Sequence, residues 1–310
     1  MAANVENMFY TREKPWHGLG TMVMDAPTSE DALRLAGLDW RVIQKPLVTE
    51  DGILVPGFKA NVRDTDDQVL GVVSDRYKVV QNQEAFAFTD ELLGYGVKYE
   101  TAGSLQNGRR TWLLAKLPHQ YIISGDEITP YLVFMNSHDG IGAIKVAMTP
   151  IRVVCQNTLN LALSTAKRSW TTNHVGDIRG KLEDARDTLL YAHQYMAELG
   201  KAIDELNRIK LEDRQVYKYI DALFPLDEDA SEIQKRNLLR LKEDVKMRYY
   251  DAPDLQGIGK NGYRFVNAVS DFATHAKPLR ERATYKENLF AKTVDGNAMI
   301  DRAYGLVTSA

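Results

Sequence analysis

Six bases stand between Lys145 and Lys181: Lys145, Arg152, Lys167, Arg168, Arg179 and Lys181. They face one acid, Asp177, so the segment carries +5 in a chain whose formal net charge is −3. Trp170 and His174 lie among them. Cations beside aromatic faces suit a single nucleic-acid strand: the cations neutralise phosphates, and stacking contributes ~1–3 kcal/mol per base whatever the sequence. Asn157 adds an amide that can meet a phosphate or a base edge, and Arg109 and Arg110 sit at an expected hairpin tip within reach of a phosphate backbone. The same letters also describe a solvated helix end with Trp170 as a core anchor, and a hairpin tip charged for solubility.

Other chemistry is less well supplied. Cys155 and His138 are a nucleophile and a base by type, but Cys155 lies in the apolar run Val153-Val-Cys-Gln-Asn-Thr-Leu159, where a buried structural thiol is the ordinary outcome. No two of the six histidines stand at helical ligand spacing, so a His-based metal site is unsupported, and His138-Asp139 reads as a capped turn. Gly257-Ile-Gly-Lys260 and Gly103 to Gly108 both lack a complete phosphate-binding Walker loop. Acid pairs such as Asp66-Asp67 and Asp126-Glu127 fall at expected turns. A second basic cluster, Lys235, Arg236, Arg240, Lys242, Lys246 and Arg248, is diluted by Glu232, Glu243 and Asp244 and reads as a salt-bridged helix surface.

The elements that must position these residues change character along the chain. A short helix capped by Thr28 or Ser29 stops at Gly37, and from Trp40 the pattern turns to strands. Alternating runs separated by turns such as Gln106-Asn-Gly108 and His138-Asp-Gly140 predict a largely antiparallel sheet over 38–149 with one or two helices packed on it, among them Gln83 to Leu93 capped by Asn82. Beyond Pro150 the only clear strand is Ser169 to Thr172. Helices are expected over 212–223, 231–249, 261–276 and 296–307, each stopped by proline or glycine. The expected class is therefore α+β, a strand-rich domain over 1–175 followed by a helical domain over 176–310.

One helical stripe stands out. Ile178, Leu182, Ala185, Leu189, Ala192, Met196, Leu199, Ile203 and Leu206 recur in steps of four and three, the spacing of a coiled-coil seam. Such a seam packs within the chain or against another copy, and spacing alone does not choose.

With 310 residues, 44% of them hydrophobic and 26% charged, the chain can bury a full core. Its single cysteine excludes an intrachain disulfide and fits a reducing cytoplasm. No apolar stretch is long enough to span a bilayer, so no membrane insertion is expected.

Several runs together resemble one family. Pro15-Trp-His-Gly-Leu-Gly20, Gly71-Val-Val-Ser-Asp-Arg-Tyr77 with Gln81-Asn82, Tyr99-Glu-Thr-Ala-Gly-Ser-Leu105, Asn136-Ser-His-Asp-Gly140, Thr149-Pro-Ile-Arg-Val-Val-Cys-Gln-Asn-Thr-Leu159 and Asn267-Ala-Val-Ser-Asp-Phe-Ala-Thr-His275 are similar to the phage/plasmid-like proteins that carry domain of unknown function 932. Gly262-Tyr-Arg-Phe265 departs from it, since a tryptophan-containing stretch is expected there. The resemblance implies a mobile genetic element in a bacterial cytoplasm, and it brings no catalytic residues with it. The expected architecture also looks like single-strand annealing proteins of the Red-beta kind, which form rings or filaments and hold single-stranded DNA without ATP.

Taken together, the expectation is a homo-oligomer that binds and anneals single-stranded DNA in recombination or repair, with no cofactor. The phosphate and base contacts would come from Lys145, Arg152, Asn157, Lys167, Arg168, Trp170, Arg179, Lys181, Arg109 and Arg110. Ile178, Leu182, Leu189, Met196, Leu199, Ile203 and Leu206 would hold subunits together. The alternatives are an anti-defence module that blocks a host nuclease or restriction complex through an acidic N-terminal surface, and a metal-dependent nuclease.

Overall fold

The computed structural model describes residues 5–11, 21–23, 28–93, 98–117, 121–152, 157–158, 161, 163, 168–185, 187–278 and 296–309. In chain order the first elements are β1 (Val5–Thr11), β2 (Thr21–Val23), α1 (Ser29–Leu35), β3 (Val42–Val48), β4 (Leu54–Arg63), β5 (Val69–Ser74), α2 (Asn82–Leu93), β6 (Lys98–Leu105) and β7 (Arg110–Lys116). The remaining strands are β8 (Tyr121–Ile123), β9 (Asp126–Ser137), β10 (Ile144–Arg152), β11 (Asn157–Thr158) and β12 (Ser169–Thr172). Helices then follow: α3 (Ile178–Asp184), α4 (Asp187–Arg208), α5 (Asp213–Leu223), α6 (Glu232–Asp251), α7 (Gly262–His275) and α8 (Ala298–Thr308). Strands gather toward the N-terminus and helices toward the C-terminus, an α+β fold. The chain divides into two compact units, neither continuous in sequence.

The first unit comprises Met1–Pro118, Pro130–Met148 and Arg168–Ala192. The expected single sheet is two. The larger runs in the order β10-β9-β7-β6-β1-β2, with β12 added on β10, and the smaller is β3-β4-β5. β1, which the sequence reading passed over, pairs antiparallel with β6 and parallel with β2. Its antiparallel partner β6 lies some ninety to a hundred positions away, so no local pattern announces that pairing.

Turn chemistry fixes the registers. Gln106, Asn107 and Gly108 take φ of 56°, 57° and 85° between β6 and β7, the left-handed geometry that hairpin turns demand. Helix α1 starts where Thr28 Oγ1 accepts the Asp31 amide at 3.2 Å and stops at Gly37, whose φ is 62°. Phe9, Leu38, Leu70, Tyr99, Leu113, Phe134 and Ile144 are completely or almost completely buried in this unit. Each such side chain contributes roughly 1.5–3 kcal/mol on leaving water.

The second unit comprises His119–Thr129, Thr149–Lys167 and His193–Ala310. Its helices match the expected segments to within two residues at each end, because capping residues and prolines mark them. Ser231 Oγ accepts the Gln234 amide to start α6, and Asn261 Oδ1 accepts the Arg264 amide at 2.9 Å to start α7. Helix α7 is buried on nearly every side. At its start, a Cβ on Gly262 would stand 2.4 Å from Val307 Cγ1 and 3.0 Å from the Leu206 carbonyl, so the close crossing requires glycine. Buried Arg264 donates to the carbonyls of Tyr249 (2.6 Å), Tyr250 (3.1 Å) and Ile258 (2.8 Å), which satisfies and charge-matches the C-terminal end of α6.

The long seam does not form one helix. Helix α3 ends at Asp184, and α4 restarts at Asp187, a residue type that a helix N-terminus favours. Met196, Leu199, Ile203 and Leu206 are at most 1% exposed within the single chain. That half of the seam packs inside its own subunit.

Candidate nucleic-acid interface

Strand β12 pairs only with β10 among the described strands, so its other side is a sheet edge. Opposed residues of a ladder share a face. Val146 opposes Trp170 and Lys145 opposes Thr171, so Trp170 and Lys145 project from opposite faces of the sheet. Arg168, in step with Trp170, lies on the tryptophan's side and donates Nη1–H to the Met148 carbonyl at 3.1 Å. The cations therefore border the edge from both faces and do not line one groove.

Beyond β12 the chain runs straight into two residues held by another loop. The Lys78 amide donates to the His174 carbonyl at 2.8 Å, and Tyr77 bridges to Val175. Lys181 Nζ donates to the Val175 carbonyl at 2.6 Å. Residues 168–175 thus collect Arg168, Lys145, Lys78 and Lys181, with exposed Arg76 beside Tyr77. Sequence reading missed Arg76 and Lys78 because they lie near position 77, far from the basic junction. Arg76 lies inside the family-like run Gly71 to Tyr77, and Lys78 follows it directly.

Beneath this edge is a buried polar cluster. The His174 ring stacks on Tyr77 with centroids 4.6 Å apart and planes 15° apart, and its Nδ1–H donates to the Lys78 carbonyl at 2.9 Å. Tyr77 Oη donates to the Ser137 carbonyl at 2.5 Å. His138 lies fully buried with Nε2 at 3.1 Å from Asn82 Oδ1, while Asn82 Nδ2 donates to the Leu38 carbonyl. Asn136 Nδ2 donates to the Val80 carbonyl, and Asn61 Nδ2 to that of His138. Asn82 is therefore a cross-brace inside α2 and not its cap.

Burial pushes the His138 imidazole down to about 3, helped by neighbouring His174, and burial also lowers His174, so both rings are neutral at pH 7. Burial opposes the Asp139 carboxylate, yet the Ser137 hydroxyl, the amides of Gly142 and Ile141, and Arg110 together hold it below the usual carboxylate range. The Asp139 side chain is the expected turn cap: Oδ1 accepts from Ile141 N at 2.7 Å and Gly142 N at 2.8 Å. These groups hold the loops together.

The remaining expected residues divide. Arg110 is committed to Asp139, with Nε at 3.3 Å from Oδ2, whereas Arg109 is exposed at the hairpin tip. Asn157 and Arg152 oppose one another between β11 and β10, in the second unit. The side chains of Arg152, Asn157, Arg179 and Leu189, and Lys167 and Cys155 altogether, lie outside the described residues.

The α6 cluster is a salt-bridged surface, as its acids suggested. Lys235 pairs with Glu232 at 2.8 Å, Lys242 with Asp221 at 2.8 Å, Lys246 with Glu243 at 3.4 Å, and Arg248 with Asp244 and Asp271. A cleft of about 340 Å³ on this surface is lined by Asp213, Glu243 and Asp251 as well as Tyr217 and Tyr250, and Lys246 and Lys260 already cover those two rings at 5.4 and 5.3 Å. Three carboxylates make it a poor seat for phosphate.

Among the described residues no group of three or more His, Cys, Asp or Glu side chains is placed to hold a metal ion, and no helix is long and apolar enough to cross a membrane. Compared with known proteins, residues 69–294 match the family described as Domain of unknown function (DUF932). No curated protein and no solved structure matches the chain.

Proposed function

We propose that this chain, which belongs to the Domain of unknown function (DUF932) family, binds single-stranded DNA along the edge formed by residues 168–175 and acts as an ATP-independent, homo-oligomeric annealing protein. One observation carries the reading: a sheet edge bordered by Arg168, Lys145, Lys78 and Lys181, with half-exposed Trp170 among them. Arg168 donates to the Met148 carbonyl and Lys181 to the Val175 carbonyl, contacts that fix where each cation points. A strand running along the edge would meet cations from both faces and one indole on which a base can stack. Annealing then requires only that two strands be held extended with their phosphate repulsion reduced, so no covalent step enters.

The test is retention of a fluorescent oligonucleotide by the full chain across a salt series. Four phosphate contacts on a single strand give a slope of log K against log salt of about −3. Absence of binding at low salt, or binding with no salt dependence, overturns the reading.

A further inference from the structure

The smaller sheet has two unlike faces. Its ladders place Val42, Asn61, Arg63, Gly71 and Val73 on one side, and all of them are buried or half-buried. The other side carries Ile43, Phe58, Val69 and Val72, which are 40–50% exposed, around Ala60 and Val62. Val48, Ile53 and Leu54, 54–64% exposed, continue the apolar surface at the end of the β3–β4 hairpin. Sheets facing water ordinarily alternate apolar in and polar out. This one carries its larger apolar side chains on the side left open, while Asn61 and Arg63 lie on the covered side.

We propose that the outer face of β3–β4–β5 is the surface through which the chain pairs with a second copy of itself, face to face about a two-fold axis. Three observations select this occupant. The first is charge: Lys45 projects from this face and pairs at 2.6 Å with Asp67, the two being 46% and 76% exposed. A two-fold contact sets the Lys45 of each copy against the Asp67 of the other, so the rim is complementary to itself, whereas a rim built for an acidic or basic partner would carry one sign.

The second is area. Seven half-exposed apolar side chains leave on the order of 500 Å² of apolar surface, near the upper end of what a monomer carries (~300–600 Å²), and a polar rim brings it close to the ~800 Å² per partner of a standard interface. The third is the edge. Pro46 occupies β3, an outer strand, and offers no amide for strand addition, so the sheet meets its partner through its face, as in a sandwich.

The inference supplies the self-association in the proposed function and moves it away from the heptad stripe, whose Met196, Leu199, Ile203 and Leu206 are already buried within one chain. It rests on that reading only for its biological use, because the contact itself needs no DNA.

Sedimentation velocity of the full chain without DNA, over a concentration series, tests it. The wild type sediments as a dimer or a multiple of one, and Phe58→Asp shifts it to monomer with an unchanged circular dichroism spectrum. Should Phe58→Asp fail to fold, the rim provides the test. Lys45→Glu and Asp67→Lys each weaken association several-fold, and mixing the two variants restores it, because each then meets the opposite charge. A monomeric wild type, a Phe58→Asp protein that still pairs, or a mixture no tighter than its components overturns the proposal. A monomer that retains oligonucleotide removes this interface and leaves the DNA reading standing; a dimer that retains none does the reverse.

Discussion

Two basic regions of this molecule have similar composition and differ in the acceptors their cations meet. On α6 the cations Lys235, Lys242, Lys246 and Arg248 each lie against a carboxylate. On the 168–175 edge, Arg168 and Lys181 lie against carbonyl oxygens. Pairing with an acid cancels a cation's field at a distance, while a carbonyl, such as the one Lys181 meets, fixes a cation's direction and brings no opposing net charge. Counting bases in a sequence therefore ranks the two regions alike, and the identity of the acceptor separates them.

Charge reversal breaks this comparison most sharply. Lys78→Glu with Lys181→Glu lowers oligonucleotide affinity by about a hundredfold at low salt, since two phosphate contacts become repulsions. Fluorescence polarisation reads it, and an affinity within threefold of wild type removes the edge from consideration.

Acid comes next. His138 in the folded chain sits near 3, below the ordinary value of 6.5, so an unfolded chain takes up a proton that the folded chain refuses. Stability from this group is therefore complete above pH 6.5 and is lost as the pH falls toward 3, on the order of 2 kcal/mol by pH 5. His174 acts in the same direction. Thermal melting at pH 7, 6 and 5 should show the loss in wild type and a smaller one in His138→Gln. The α6 surface has no buried histidine, so hydrogen exchange should localise the loosening to the unit holding the edge.

Trp170→Ala should weaken binding about tenfold, within the ~1–3 kcal/mol of one stacked base, with the salt slope unchanged because no phosphate contact is removed. A change in slope would show that the indole supports the cations instead. Smallest of all, Lys235→Glu with Lys246→Glu on α6 should move affinity less than threefold and stability by no more than ~1 kcal/mol, as exposed pairs contribute little.

What was legible in the sequence follows from range. Helices α5 to α8 announced themselves because capping residues and prolines act within a few positions. Strand β12 was visible at its observed limits, since Ser169 to Thr172 holds Trp170 and two threonines, residues that favour strands. The α6 salt bridges were visible because most join residues three or four apart. The pairing of β1 with β6 and the presence of Arg76 and Lys78 at the edge were not, because each depends on contacts between residues ninety to a hundred positions apart, and the split of the sheet into two was not, because a run of strands does not record which of them fail to pair. The seam shows a subtler limit: its spacing was correct, but spacing does not record what fills the groove opposite.

Gly71 illustrates how such distant pieces are tied. A Cβ there would lie 2.6 Å from the Asp139 carbonyl oxygen, and Gly140, with φ of 78°, lies against Val72 and Val73 in return. The runs 71–77 and 136–140 are thus two halves of one latch. A newly met chain carrying either half alone has no reason to close it, so the pair, with its two interlocking glycines, is the sharper diagnostic for finding this fold in sequences that share little else.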